Sequence, residues 1–344
     1  MLRAAFLVDD APQAGLGHVM RSINLAVELA SMGTEVYFFN SSDGVVPEVV
    51  GERFPKIRLP ESDSVEKMGQ AACNICKKME VDILLIDTYK VNRAFFDVLA
   101  ESGALLAYID DLNAFAYPVH FLINGNITGD DYRYEPGEPN EIFLTGLEYN
   151  LIRSEFRDIA PRTIRQVVKD IMITTGGTDP LDVVPEFCEE VLRNDDFQDI
   201  RVHVIVGGRF QNKAELKALE QRDKRIILYE NVQFISKVML QADIAVSSSG
   251  STLYELAACG TPTIGFVIAE NQLAIAEKMG NKGYIENFGW LDRSKISTLT
   301  ECISKLACDV GRRTEMSART QSMVDGKGAN RVARMILDRA TKKD

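Results

Sequence analysis

Over the first 124 positions, apolar residues come in short continuous runs separated by amphipathic stretches. The runs at 2–8, 35–39, 54–59, 81–87, 104–109 and 120–124 predict strands. Between the first two, Ile23, Leu25, Ala26, Leu29 and Ala30 recur at helical spacing over 22–32, and Gly33 ends that helix. Helices are also predicted at 45–52, 65–79 and 93–102. Continuous apolar strands alternating with helices predict a parallel sheet covered on both faces. The rhythm breaks at 125–140, a polar stretch rich in Gly, Asp, Tyr and Pro. A helix-like segment follows Tyr149, and 160–162 reads as a linker. Alternation then restarts, with strands at 171–174, 201–206, 226–229, 244–247 and 262–267. Helices fall at 185–193, 213–222, 235–241, 253–259 and 273–279, and the charged stretch from 311 onward is helical.

The predicted fold class is therefore α/β, with two Rossmann-like domains of parallel sheet. The first spans 1–155 and the second 163–320, while 321–344 is expected to pack back on the first. At 344 residues, 46% of them hydrophobic, the chain has material for two cores. A net charge of -11 argues against a nucleic-acid-coating surface. Cys73 and Cys76 form a lone C-x-x-C on a predicted helix. With three histidines in the chain, a zinc site is poorly supplied, so no metal is expected and the thiols read as ordinary buried ones. No apolar run approaches the roughly 20 residues that span a bilayer. The N-terminus carries no signal-peptide series, and the expected location is the cytoplasm.

Polar residues gather where strands stop. Asp9, Asp87 and Asp110-Asp111 end three strands of the first half, the place where open α/β sheets bind ligands. Singly, each also suits a turn or a cap. Gly15-Leu16-Gly17-His18, followed by Arg21, joins the first strand to the first helix. This turn lacks the third glycine of a dinucleotide fingerprint, and the second strand ends at Phe39-Asn40 without an acid, so no NAD or other cofactor is expected. A neutral imidazole at that turn can deprotonate water or a hydroxyl, and it can equally serve as a structural cap. Tyr89, two residues after Asp87, can orient a ligand or simply pack. His120 and His203 lie within apolar strands and read as structural.

In the second half, Gly176-Gly177-Thr178 and Ser249-Gly250-Ser251-Thr252 both follow strands and precede helices. Free backbone N–H groups at a helix start attract anions, so the pair of loops suits a diphosphate. Each loop alone also reads as a polar turn with a cap. Glu255, one turn into its helix, can accept ribose hydroxyls or complement the helix dipole. Asn271 and Gln272 can hydrogen-bond a sugar or cap the helix that follows.

Eight ordered stretches carry a family resemblance: GLGHVMR at 15–21, IDTY at 86–89, YIDD at 108–111, GLEYNLIR at 146–153, TGGTD at 175–179, SGSTLYE at 249–255, NQ at 271–272 and VDGKGA at 324–329. The chain resembles the nucleotide-sugar hydrolases of pseudaminic acid biosynthesis and the related spore-coat polysaccharide proteins. The resemblance implies a GT-B architecture, two Rossmann-like domains facing across a cleft, similar to the transferase that adds N-acetylglucosamine to the peptidoglycan lipid precursor. It implies hydrolysis of UDP-2,4-diacetamido-2,4,6-trideoxy-β-L-altropyranose to UDP and free sugar. His18 would activate water, with Tyr89 and Asn271 completing the catalytic set. Asp9, Gly15, Gly17, Arg21, Asp87, Asp110 and Asp111 would form the sugar side. The loops at 176–178 and 249–252, with Glu255 and Gln272, would hold UDP. Two positions depart from the family pattern, Leu7 where an arginine is usual and Thr88 where a histidine is usual, and both are expected on the sugar side. The alternatives are a GT-B glycosyltransferase with a sugar or lipid acceptor, and a UDP-sugar-binding module without turnover.

Overall fold

The computed structural model describes the chain except residues 10–15, 41–44, 61, 63, 343 and 344, and describes only the backbone at 45, 47 and 48. The chain divides into two compact units, 1–154 with 327–344, and 155–326.

The first unit runs β1 (Arg3–Val8), α1 (Leu16–Ser31), β2 (Glu35–Asn40), α2 (Val45–Val50), β3 (Lys56–Arg58), α3 (Val65–Met79), β4 (Ile83–Asp87), α4 (Arg93–Ala100), β5 (Leu105–Ile109), β6 (Phe121–Asn124) and β7 (Ile142–Thr145). All seven strands are parallel, in the order β3-β2-β1-β4-β5-β6-β7. Alternate residues of β1 serve opposite faces. Ala4, Phe6 and Val8 pack with Val19, Ile23 and Ala26 of α1. Ala5 and Leu7 pack with Cys73 and Cys76 of α3 and with Phe95, Phe96 and Leu99 of α4. The two cysteines are thus core residues, and burial pushes both thiols up, Cys76 to about 12. Gly33, at φ +87°, ends α1 in the left-handed region that the sequence anticipated for it.

The second unit runs β8 (Asp170–Thr174), α5 (Val184–Arg193), β9 (Arg201–Val206), α6 (Lys213–Arg222), β10 (Ile226–Glu230), α7 (Ile235–Gln241), β11 (Ile244–Ser248), α8 (Thr252–Ala258), β12 (Thr263–Val267), α9 (Leu273–Asn281), β13 (Glu286–Trp290), α10 (Ile296–Cys308) and α11 (Val310–Gln321). Its six parallel strands take the order β10-β9-β8-β11-β12-β13. The chain then returns to the first unit as α12 (Gly328–Ala340), whose Val332, Ala333 and Ile336 complete the core under α1.

Several elements differ from expectation. The helix expected after Tyr149 is absent; only the 3-10 turns Leu147–Tyr149 and Ser154–Phe156 form there. The strand expected over 54–59 reduces to three residues, and β7 and β13 are additional. The C-terminal helical stretch is two helices, α11 in the second unit and α12 in the first.

In both sheets the strand order reverses at one place, β1/β4 in the first unit and β8/β11 in the second. Connections leave in opposite directions there, opening a crevice beyond the carboxyl ends of the strands.

Candidate active site

At the β1/β4 reversal, Val8 pairs with Asp87 and the Asp9 N–H donates to the Asp87 carbonyl. The side chain of Asp87 turns back under α1 and is 1% exposed. Its Oδ1 accepts from His18 Nδ1 at 2.5 Å and Arg21 Nη2 at 2.5 Å; its Oδ2 accepts from Arg21 Nε at 2.7 Å and Ser22 Oγ at 3.2 Å. His18 and Arg21 are one helical turn apart, so a single α1 face presents both to the carboxylate. Burial works to raise the Asp87 carboxyl, but the Arg21 charge and the hydrogen bonds from Arg21 and His18 prevail and hold it far below the usual carboxylate range. Burial opposes the Arg21 charge, and Asp87 outweighs it, leaving the guanidinium more firmly protonated than usual.

An ionised carboxylate 2.5 Å from Nδ1 requires that nitrogen to carry the proton, since two acceptors would repel. The Nη2–Nδ1 approach of 3.1 Å is then a close contact and not a second bond. In the neutral ring a proton on Nδ1 leaves the Nε2 lone pair open, and no partner for Nε2 occurs among the described residues. Tyr89, 36% exposed, sets its ring edge-on to the imidazole at 4.6 Å. Burial and the Asp111 charge push its phenol above the ordinary range, so it stays protonated.

The sugar-side expectations separate. Asp87 and Arg21 bond to each other and Asp87 to His18, so the pair orients the imidazole. Asp110 is likewise enclosed: it is 0% exposed and accepts from Tyr117 Oη, Tyr134 Oη and the Asn113 N–H, each at 2.8 Å. It ties the 125–140 stretch to the end of β5. Asp111 is part exposed; Oδ2 takes Arg21 Nη1 at 3.2 Å, and its carbonyl accepts from Tyr132 Oη. Asp9 pairs with Lys90 at 3.2 Å across the reversal. Gly17 is exposed in the first turn of α1, with open space where a Cβ would stand. Gly15 lies outside the described residues. Leu7 is buried on the sheet face opposite α1, and Thr88 is buried with its Oγ1 accepting from the Lys90 N–H.

In the second unit, Thr174 of β8 pairs with Ser247 of β11, so the loops that follow are neighbours. Gly176 turns at φ +89°. Thr175 Oγ1 donates to the Thr178 carbonyl, and Thr178 itself is exposed. Gly207, which follows β9, was not singled out from the sequence. A Cβ there would stand 2.4–2.5 Å from the Gly177 and Gly176 carbonyls, so only glycine lets the two loops approach. The Gly207-Gly208 pair at a strand end was the available signal. On the neighbouring loop Ser251 is exposed, Gly250 and Thr252 are half-buried, Glu255 is buried, and Ser249 Oγ is buried without a hydrogen-bond partner. Gln272 turns its side-chain carbonyl back to the Ile268 N–H, while Asn271 beside it is exposed. Among the described residues no cluster of His, Cys, Asp and Glu has metal-binding geometry, and no helix is long and apolar enough to cross a membrane. A cavity of about 260 Å³ lies beside the first residues of β12 and β13, at the opposite end of the sheet from these loops.

Residues 171–332 match the glycosyltransferase family 28 C-terminal domain. Along the chain as a whole, similarity extends to an uncharacterized protein, MJ1062, of Methanocaldococcus jannaschii, 26% identical over 79% of this chain. This chain spans only 56% of that archaeal relative's length. The spore coat polysaccharide biosynthesis protein SpsG of Bacillus subtilis is 21% identical over 98% of both chains. The UDP-2,4-diacetamido-2,4,6-trideoxy-beta-L-altropyranose hydrolase of Campylobacter jejuni is 21% identical over 82% of this chain and 98% of its own. Among solved structures, Acinetobacter baumannii MurG superposes with a TM-score of 0.68 over 98% of this chain and 99% of its own, at 14% identity. The fold is accordingly GT-B-like α/β, built from two Rossmann-like units.

Proposed function

We propose that this protein binds a UDP-sugar and transfers the sugar from the nucleotide to an oxygen nucleophile that His18 deprotonates. The observation that carries the reading is the buried Asp87 carboxylate on His18 Nδ1, which leaves Nε2 as the acceptor. In the reaction, Nε2 takes the proton of the attacking O–H. The bond from the anomeric carbon to the phosphate oxygen breaks, its electron pair leaving with UDP, and the new C–O bond forms on the opposite face with inversion. Fixing the tautomer keeps the lone pair aimed at one place, and general-base catalysis of this kind contributes about 10²- to 10⁴-fold.

The nucleotide is assigned to the second unit, where the loops after β8 and β11 leave adjacent strands at the order reversal. Hydroxyls and backbone N–H groups there suit phosphate oxygens, and Glu255 is assigned to the ribose. In the first unit, Tyr89 against His18 and Asp111 against Arg21 are partly exposed polar groups assigned to the sugar. Asn271 is assigned to the sugar or leaving-group end.

Two acceptors fit the same base. The family 28 match and the likeness to MurG favour a sugar or lipid hydroxyl. The Campylobacter relative, named as a hydrolase of a UDP-linked diacetamido sugar, favours water and makes that sugar the first to test. The test is incubation with a panel of UDP-sugars, with and without acceptors, following UDP release and the sugar product by NMR. Glycoside formed only with acceptor identifies a transferase; free sugar at an undiminished rate without acceptor identifies a hydrolase. Tight binding of UDP-sugars with no turnover under either condition overturns the reading in favour of a binding module.

A further inference from the structure

The guanidinium of Arg21 is bonded to protein carboxylates. Nε and Nη2 fork onto Asp87 at 2.7 and 2.5 Å, Nη1 reaches Asp111 at 3.2 Å, and Nη2 stands 3.1 Å from His18 Nδ1. The arginine therefore shares with the imidazole the very carboxylate oxygen that fixes the tautomer. A buried carboxylate beside an imidazole favours the imidazolium, which has no lone pair to accept a proton. A cation bound to that carboxylate cancels the attraction and adds direct repulsion. We infer that Arg21 sets the pH window of the site, keeping His18 in its base-competent neutral form against the pull of Asp87. It acts through Asp87 and His18 and is a positioning residue. The inference rests on the reading of His18 as the base.

Among the described residues, the charged and titratable groups about the imidazole are Asp87 at the end of β4, Arg21 on α1 and Tyr89 after β4, with Asp111 after β5 paired to Arg21 and the Asp9–Lys90 ion pair at the same strand ends. Their signs make the expectation two-sided. Removing the Arg21 cation must favour imidazolium, and removing the Asp111 anion, which partly offsets Arg21, must disfavour it. Charges within about 4–6 Å move a neighbouring group by about one to three pH units.

The chain has three histidines, so imidazole C–H resonances can be followed individually, with His18 assigned by its loss in His18→Phe. In Arg21→Met the His18 titration midpoint moves up by about one pH unit or more, and the acid limb of log kcat/KM moves with it. In Asp111→Asn the midpoint moves down. The double variant Arg21→Met/Asp87→Asn, which removes both charges, returns toward the parent. Arg21→Lys, which keeps the charge without the fork, stays nearer the parent than Arg21→Met does. Should Arg21→Met alone not fold, Asp111→Asn and Arg21→Lys carry the test. An unmoved midpoint in Arg21→Met, or a midpoint that rises or stays fixed in Asp111→Asn, overturns the inference, because a merely structural arginine would lower activity without moving a titration. The titration needs no turnover. If His18→Ala stays fully active while the midpoints move as stated, the functional reading fails and the electrostatic inference stands.

Discussion

Each unit holds a histidine–aspartate pair built on a buried carboxylate, and the two pairs differ in what they leave open. In the first unit, His18 meets Asp87 at the carboxyl end of β4, its side chain 12% exposed. In the second, His203 Nε2 meets Asp170 at 2.7 Å, at the first residue of β8, the amino end of the sheet. There Nδ1 also meets Tyr229 Oη at 3.0 Å, and the histidine is 0% exposed. Asp170 additionally takes Arg165 and Arg201, and Asp243 takes Arg165 and two backbone N–H groups. That network closes the bottom of the sheet with both imidazole nitrogens occupied. A histidine–aspartate contact is therefore not itself a sign of catalysis. What separates the pairs is one open nitrogen and the end of the sheet at which ligands bind.

The contrast predicts unlike losses. Asp87→Asn releases the His18 tautomer and leaves Arg21 without its carboxylate, and turnover of a UDP-sugar should fall about 100- to 1,000-fold, measured as initial rate of UDP release. Asp170→Asn should leave turnover per folded molecule unchanged and destabilise the second unit by about 3–5 kcal/mol in urea unfolding, since it strips a buried network of its anion. Equal activity losses in the two variants would contradict the distinction.

Acid should act on the same contrast. Burial opposes ionisation of Asp170, and Arg201, His203 and Arg165 outweigh it, holding the carboxyl down at about 2. A lowered carboxyl contributes stability that is fully present above the unfolded range near ~4 and is lost as pH falls toward 2. The contribution is about 2 kcal/mol, so melting curves of the parent should drop between pH 5 and 2 (approximate limits), and those of Asp170→Asn should drop less. The smallest effect is expected for Tyr89→Phe, which keeps the edge contact on His18 and loses only the hydroxyl, lowering kcat/KM about two- to tenfold.

Much of the fold was legible because buried parallel strands announce themselves as continuous apolar runs, as at β4 and β11. β13 was not, because Glu286–Trp290 is a half-exposed edge strand interrupted by Gly289 and carries no such run. β7 is apolar at Ile142, Phe143 and Leu144, but at four residues on the other sheet's edge the run is too short to stand out from the polar stretch before it. The helix expected after Tyr149 failed because Asn150 bonds through its side chain to the Gly125 carbonyl and continues extended. At the site, the sequence located the strand-end aspartates and His18. It could not say which aspartates turn inward. Asp87 and Asp110 looked like ligand groups because both end strands, and the partners that enclose them come from far along the chain: Arg21, 66 residues before Asp87, and Tyr134, 24 after Asp110. The spacing of His18 and Arg21 was the readable clue, since residues three apart on a helix share a face.

The most direct measurement compares His18→Phe with His203→Phe in UDP release from the UDP-sugar that the parent turns over. The account predicts at least about a 100-fold loss for His18→Phe, with the fold retained. For His203→Phe it predicts lowered stability and parent-like turnover per folded molecule. A His18→Phe protein that releases UDP at the parent's rate would contradict it.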